Sequence, residues 1–339
     1  MKRRQKILGI GLCLVFLIGG ISYIKYQEEQ KSCTKQLFAM DTFMSFTAYG
    51  KNCEKAVDAA IDEVERLDAL LSTGKETSEV SRINAAGGGE VSEDTAVILQ
   101  EAMEVYQRTE GLFDVSIYPL MELWGFPSQE YHVPTREELL EVLSLVDASK
   151  IAFDGTYIKL LEGQRIDFGG IAKGYTSARV MDVFQEYGIH SGMVTLGGNV
   201  QVLNKKLDGS KWQVAIRDPE HEGKILGVLG VENQAVITSG GYERYFEEDG
   251  ETYIHILNPR TGYPADEDLI SVTVISEDGM LADALSTSLY LMGREEAVSY
   301  WERYGEEFEM ILVTEKGEIL VTEGICEEFE TEEEYLVID

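Results

Sequence analysis

Ile166-Asp-Phe-Gly-Gly-Ile-Ala-Lys-Gly-Tyr175 reads as a joint between a strand and an amphipathic helix. At such a joint the free backbone N–H groups of a helix N-terminus meet a lysine, Lys173, which is the composition of an anion site with phosphate as its natural ligand. The plainer reading is a tight connection with glycines for packing. The stretch matches neither the P-loop spacing nor the G-x-G-x-x-G fingerprint of dinucleotide folds.

The sequence on both sides of this joint mixes helix and strand periods. Upstream, Phe38, Met40, Thr42, Met44 and Phe46 alternate at period two, which predicts a strand with one inward face. Ala56, Val57, Ala60, Ile61, Val64, Leu67 and Leu71 recur at helical spacing, and a second helix is predicted from about Asp94 to a stop at Gly111. Thr135 and Glu138 form a capping box before Leu139, Leu140, Val142 and Leu143. Asp154-Gly155, Asp249-Gly250 and Lys316-Gly317 predict hairpin turns. Downstream, strands are predicted at 193–203, 212–216, 225–231, 253–257 and 269–275, then two helices, at about 279–292 and 294–304, ended by Gly293 and Gly305. No repeat and no Pro- or Ser-rich linker divides the chain, which predicts one mixed α/β body.

The charge is lopsided. With 29 Lys+Arg against 61 Asp+Glu in 339 residues the formal net charge is −32, whereas binding nucleic-acid phosphates takes a basic face. Nucleic acid is therefore excluded as a partner class, and 44% apolar content argues against disorder. Lys2, Arg3, Arg4 and Lys6 precede an uncharged stretch at 7–24. At about 1.5 Å per residue this could cross most of a bilayer core, with its cationic flank held in the cytoplasm. An anchor is expected, with the rest of the chain on the extracytoplasmic side. A cleaved signal peptide, with a small-x-small site at Gly20-Ile21-Ser22, is the rival reading. Beyond residue 27 the balance is 24 bases against 61 acids. Cys33, Cys53 and Cys326 show no C-x-x-C spacing, so neither a disulfide framework nor a zinc site is indicated.

Several polar clusters break the apolar pattern. Asp283 and Thr287 stand i,i+4 on one helix face, an oxygen pair suited to Mg²⁺ or Ca²⁺; a dipole-favoured helix-terminal Asp is the structural alternative. His255 opens a polar turn, His255-Ile-Leu-Asn-Pro-Arg-Thr-Gly262, and is a candidate general base. Leu196-Gly-Gly-Asn199 and Ser239-Gly-Gly-Tyr242 end strand-like runs as turns or as parts of a site.

Taken in order, Ala39-Met-Asp-Thr42, Ser78-Glu-Val-Ser-Arg-Ile-Asn84, Phe113-Asp114 leading to Leu123-Trp-Gly-Phe126, Asp167–Tyr175, Leu196–Asn199, His255–Gly262 and Ala282-Asp-Ala-Leu-Ser-Thr287 resemble the ApbE family of FAD:protein FMN transferases. The resemblance covers residues 38 to about 292. It implies an α+β fold, a single mixed α/β catalytic domain with central, largely antiparallel sheet regions and flanking helices. The organisation expected is a basic flank at 1–6, an anchor or signal segment at 7–24, a tether at 25–36, the catalytic domain at 37–325 and an acidic, solvated tail at 326–339.

The activity implied is Mg²⁺-dependent transfer of FMN from FAD to a Thr or Ser hydroxyl of a target flavoprotein, with AMP released. Such an acceptor is expected to be a membrane or exported redox protein. By resemblance, FAD contacts fall on Met40, Leu112, Phe113, Asp114, Asp167, Lys173 and Ile256. Metal ligands fall on the Gly170 carbonyl, Asp283 and Thr287, and the base falls on His255. A hydrolase that splits FAD to FMN and AMP, or a non-catalytic flavin-binding surface protein, would use the same site differently. The sequence departs from the family pattern at Gly74, where an aromatic is common, at Ala178, where Asp is common, and at Asp41, where Gly is common.

Overall fold

The structure is a computed structural model that describes residues 28–339. The basic flank, the apolar segment and the start of the tether lie outside the described residues. Among the described residues no helix is long and apolar enough to cross a membrane.

A nine-stranded sheet organises the chain. Its order is β1 (Ser32–Ala39), β2 (Thr42–Tyr49), β6 (Ser191–Leu196), β7 (Asn199–Leu203), β10 (Ala235–Gly240), β13 (Leu269–Ser276), β14 (Glu309–Thr314), β15 (Ile319–Thr322) and β17 (Tyr335–Ile338). All neighbours are antiparallel except β15 and β17. The central strands are buried on both faces, which is why they read as continuous apolar runs. On β10 and β14, Ile237, Met310 and Leu312 enter one core, while Val236, Ile311 and Val313 enter another. The second core is closed by a small sheet of β8 (Trp212–Arg217), β9 (Ile225–Val231) and β16 (Phe329–Glu330).

Helices cover the opposite face. α1 (Cys53–Leu71) and α6 (Ala172–Glu186) lie over β1, β2 and β6 and bury Val57, Val64, Val180 and Phe184. α2 (Glu79–Ala86) and α3 (Glu93–Arg108) pack with the β3 (Gly88–Glu90), β4 (Ala152–Phe153) and β5 (Tyr157–Lys159) sheet. α4 (Tyr118–Leu123) and α5 (Arg136–Leu143) enclose an aromatic cluster together with the hairpin of β11 (Tyr245–Glu248) and β12 (Glu251–Ile254). The Thr135–Glu138 capping box is formed as expected.

α7 (Gly279–Tyr304) runs through the largest core. Asp278 accepts from the Met280 and Leu281 N–H groups, a cap worth about 1 kcal/mol. Gly293, at φ 72° and ψ 175°, breaks α7 where two helices are expected, because left-handed backbone there excludes an ordinary side chain at little cost.

Four expectations are corrected. The run from Phe38 to Phe46 is a hairpin rather than one strand: Met40 (φ 47°) and Asp41 (φ 57°) form its two-residue turn, and two positive φ values suit the strand twist. Asp41 thus stands at a position that rewards Gly, and Asp is among the residues that tolerate it. The 193–203 run is likewise two strands, turned at Gly197-Gly198. The tether expected to reach residue 36 is already strand from Ser32, and the acidic tail expected to be loose adds β16 to the small sheet and β17 to the edge of the large sheet opposite β1. Finally, Ile166 is not in a sheet. Its N–H donates to Asn84 Oδ1 (2.7 Å) and its carbonyl accepts from Asn84 Nδ2 (2.8 Å), so one side chain supplies the pairing a neighbouring strand would give.

Candidate active site

The site forms where the N-terminus of α6 meets the first turns of α7, beside the turns that end β1, β6 and β10. α6 has no side-chain cap of its own at Ile171. Asp283 of α7 supplies one: its Oδ2 accepts from the Gly174 N–H at 2.8 Å. The helix end expected to hold phosphate is therefore partly filled by a carboxylate of the protein, which the dipole favours for the same reason. Only glycine permits this approach, since a Cβ at Gly174 would lie 2.1 Å from the Gly279 carbonyl oxygen and 2.7 Å from Asp283 Cβ. Burial pushes the Asp283 carboxyl up, against Lys173 and the N–H donors, which hold it down.

Thr287 lies one turn further along α7, with its hydroxyl 3.4 Å from Ser239 Oγ, and Ser239 in turn is 2.8 Å from Ser286 Oγ. Gly170 faces the same hydroxyl: a Cβ built on it would be 3.7 Å from Thr287 Oγ1 and 3.1 Å from the Phe113 ring. Gly170, Asp283 and Thr287 are thus gathered around the end of α6, with hard oxygen donors of the kind that Mg²⁺ takes. Among the described residues no cluster of three His, Cys, Asp or Glu side chains competes as a metal site. The donor set fits a divalent cation that keeps most of its water.

Asp167 accepts from the Gly169 N–H at 2.9 Å, and burial pushes its carboxyl up despite the Arg244 guanidinium nearby. Met40 reaches α6 through Thr176, whose hydroxyl lies 3.8 Å from its sulfur. Leu112, Phe113 and Ile256 are buried in the adjoining core. The Asp114 side chain is committed elsewhere: it accepts from the Ser116 N–H (2.7 Å), the Ser116 hydroxyl (2.6 Å) and the Ala148 N–H (3.1 Å). That carboxylate holds the loop carrying Phe113, with Oδ1 accepting two bonds and Oδ2 one.

His255 follows β12. Its backbone N–H (3.0 Å) and its Nδ1 (3.1 Å) both address the Arg244 carbonyl. A carbonyl only accepts, so Nδ1 carries the proton and Nε2 keeps its lone pair. Burial, with the nearby Lys173 and Arg244 charges, lowers the ring's pKa to about 4, so the ring is neutral at physiological pH. An aromatic cluster fixes this nitrogen in place. Phe126 lies 6.5 Å from the imidazole, Arg244 donates to the Phe126 carbonyl, and Trp124 Nε1 donates to the Gly262 carbonyl at 2.8 Å, tying the Leu123–Phe126 and His255–Gly262 segments together.

The sequence model of the ApbE family matches residues 40–312. The chain belongs to the ApbE family. The FAD:protein FMN transferase of Haemophilus influenzae is 33% identical over 286 residues, covering 80% of this chain and 82% of that protein. The enzyme of the same name from Vibrio cholerae is 34% identical over 277 residues, covering 80% and 82%. Among solved structures, the ApbE protein of Thermotoga maritima superposes with a TM-score of 0.82 at 32% identity, over 87% of this chain and 98% of that one. The V. cholerae flavin transferase ApbE gives 0.76 at 28% identity, over 84% and 94%.

Within this ApbE chain the segments that carry the family resemblance divide into those that present groups and those that hold them. Ser78–Asn84 and Leu123–Phe126 are supports, through Asn84 and Trp124. Ser239 and Asn199, read from their Gly-Gly turns as turn or site residues, both border the site, beside Thr287 and Asp283, whereas Arg244 has no local sequence signal. Of the departures from the family pattern, Gly74 sits in an exposed loop, while Ala178 lines a groove of about 720 Å³ with Met181, Gln201 and Val202, whose walls include none of the candidate site residues.

Proposed function

We propose that this chain transfers FMN from FAD to a Thr or Ser hydroxyl of an acceptor flavoprotein and releases AMP, with Mg²⁺ as its cofactor. The observation that carries the reading is the convergence of Asp283, Thr287 and Gly170 with Lys173 and with the unprotonated Nε2 of His255. Its family membership and the names of its relatives support the same reaction.

In that reaction the acceptor hydroxyl oxygen forms a bond to the FMN phosphorus as the bond from that phosphorus to the bridging oxygen breaks, and AMP departs with that oxygen. His255 Nε2 takes the hydroxyl proton, while Nδ1 stays bonded to the Arg244 carbonyl and holds the ring in place. General-base assistance of this kind contributes about 10²–10⁴-fold. Lys173 offsets pyrophosphate charge in a chain short of cations. Met40, Phe113 and Ile256 offer the apolar surface for the flavin or adenine. Mg²⁺ bound at Asp283, Thr287 and the Gly170 carbonyl would supply charge neutralisation for the pyrophosphate oxygens, which phosphoryl transfer needs more than covalent help. The acceptor is a membrane or exported redox protein, reached from an extracytoplasmic catalytic domain that the 7–24 segment tethers to the membrane.

Metal dependence is checked by chelation. AMP formation from FAD by the full chain should fall to background in EDTA and return with Mg²⁺ in excess. Turnover that persists in EDTA would contradict the metal assignment.

A further inference from the structure

One buried amide in the site has no well-formed hydrogen bond. Asn199 opens β7 directly after the Gly197-Gly198 turn and is 1% exposed; neither its Nδ2 nor its Oδ1 makes a well-formed hydrogen bond, and its one polar neighbour of note is the Asp283 carboxyl, which the amide reaches only loosely. Buried side-chain polar atoms are overwhelmingly paired, and each one left unmet costs about 1–3 kcal/mol. Its strand neighbours, Leu196 on β6 and Ile237 on β10, are fully buried and apolar, so packing alone would be served better by an aliphatic side chain. Asp283 lies beside it, with Glu243 against the preceding Gly198, and the amide favours the ionised form of the Asp283 carboxyl.

We propose that Asn199 is a positioning residue for the divalent cation: its amide N–H is held for the Asp283 carboxylate, whose Oδ2 Gly174 already orients, so that the carboxylate presents a fixed edge to the metal. The inference rests on Asp283 being a metal ligand. Groups that orient a ligand in this way typically change metal affinity about 10–100-fold when removed. The unmet Oδ1 is then available to the water a Mg²⁺-type ion retains. A polar residue is kept here at the expense of the metal-free fold, which gives the idea a two-sided signature.

The test titrates Mn²⁺, followed by electron paramagnetic resonance, into the full chain in detergent, for the native protein and for Asn199→Leu and Asn199→Ala. The native chain should bind one Mn²⁺, and Asn199→Leu should bind it at least tenfold more weakly. The metal-free thermal midpoint of Asn199→Leu should be unchanged or higher, because a buried amide without a well-formed hydrogen bond is gone. Equal Mn²⁺ affinity in native and Leu chains overturns the inference while leaving Asp283 as a ligand. If the Leu variant does not fold, the affinity of the Ala variant decides in the same way. A native chain that binds no Mn²⁺ overturns both this inference and the metal reading beneath it.

Discussion

Asp283→Asn is expected to lower FMN transfer about 10³-fold while the fold keeps its stability. The size follows from what the ligand does: charge stabilisation by a bound metal is worth several kcal/mol, and each 1.4 kcal/mol is tenfold in rate. The retained stability follows from the cap, since an amide oxygen at position 283 still accepts from the Gly174 N–H now bonded at 2.8 Å. Asp283→Ala should lose activity to the same degree and stability as well, by about 1–2 kcal/mol, because it uncovers the first turn of α6. AMP release measured alongside urea unfolding separates the two roles. Unchanged turnover in Asp283→Asn would remove the residue from the metal site.

His255→Ala is expected to cost about 10²–10⁴-fold in transfer. Its pH dependence is more specific. The free-enzyme ring has a pKa of about 4, depressed from an ordinary value of 6.5. A base must be neutral, so kcat/KM should be level through neutral pH and fall as pH drops through about 4. The same depression contributes to stability in the usual direction for a neutral buried imidazole. Its contribution is full above the unfolded value of 6.5 and is lost as pH falls from there through about 4. A bound pyrophosphate adds negative charge next to the ring and favours its protonated form. The acid limb of kcat, which reports the enzyme–substrate complex, should therefore lie above that of kcat/KM. An acid limb that survives in His255→Ala would assign it to another group.

Much of this architecture could be read in the chain because the signals were local. The period of Ala56 to Leu71, the Thr135–Glu138 box and the break at Gly293 each need only a few neighbouring residues to be interpretable, and each is found where expected. The Met40-Asp41 turn was hidden by chemistry: Asp at a positive-φ position gives a weaker turn signal than Gly, and alternation on either side continued through it. Long-range substitution hid the rest. Asn84 completes the pairing of Ile166 across 82 positions, and Asp283 caps a helix 109 positions away, so neither role has a local pattern. The candidate groups themselves were legible as residue types out of place among apolar runs. Whether each one presents a free atom, as His255 does, or has its oxygens committed, as Asp114 does, depends on hydrogen bonds that spacing does not encode.

The net charge of −32 would give the proposed metal its importance. An acidic protein repels a pyrophosphate unless the charge is corrected locally, and with Asp283 filling part of the α6 N-terminus, Lys173, Arg244 and the proposed cation would do it. FAD binding should consequently follow Mg²⁺ closely.

The central claim is covalent transfer, and mass spectrometry of redox proteins coexpressed with the full chain tests it most directly. FMN in phosphoester linkage is expected on a Thr or Ser of an exported or membrane-bound protein, present with the native chain and absent with Asp283→Asn. Purified chain that converts FAD to free FMN and AMP, with no flavin on any coexpressed protein, would contradict it.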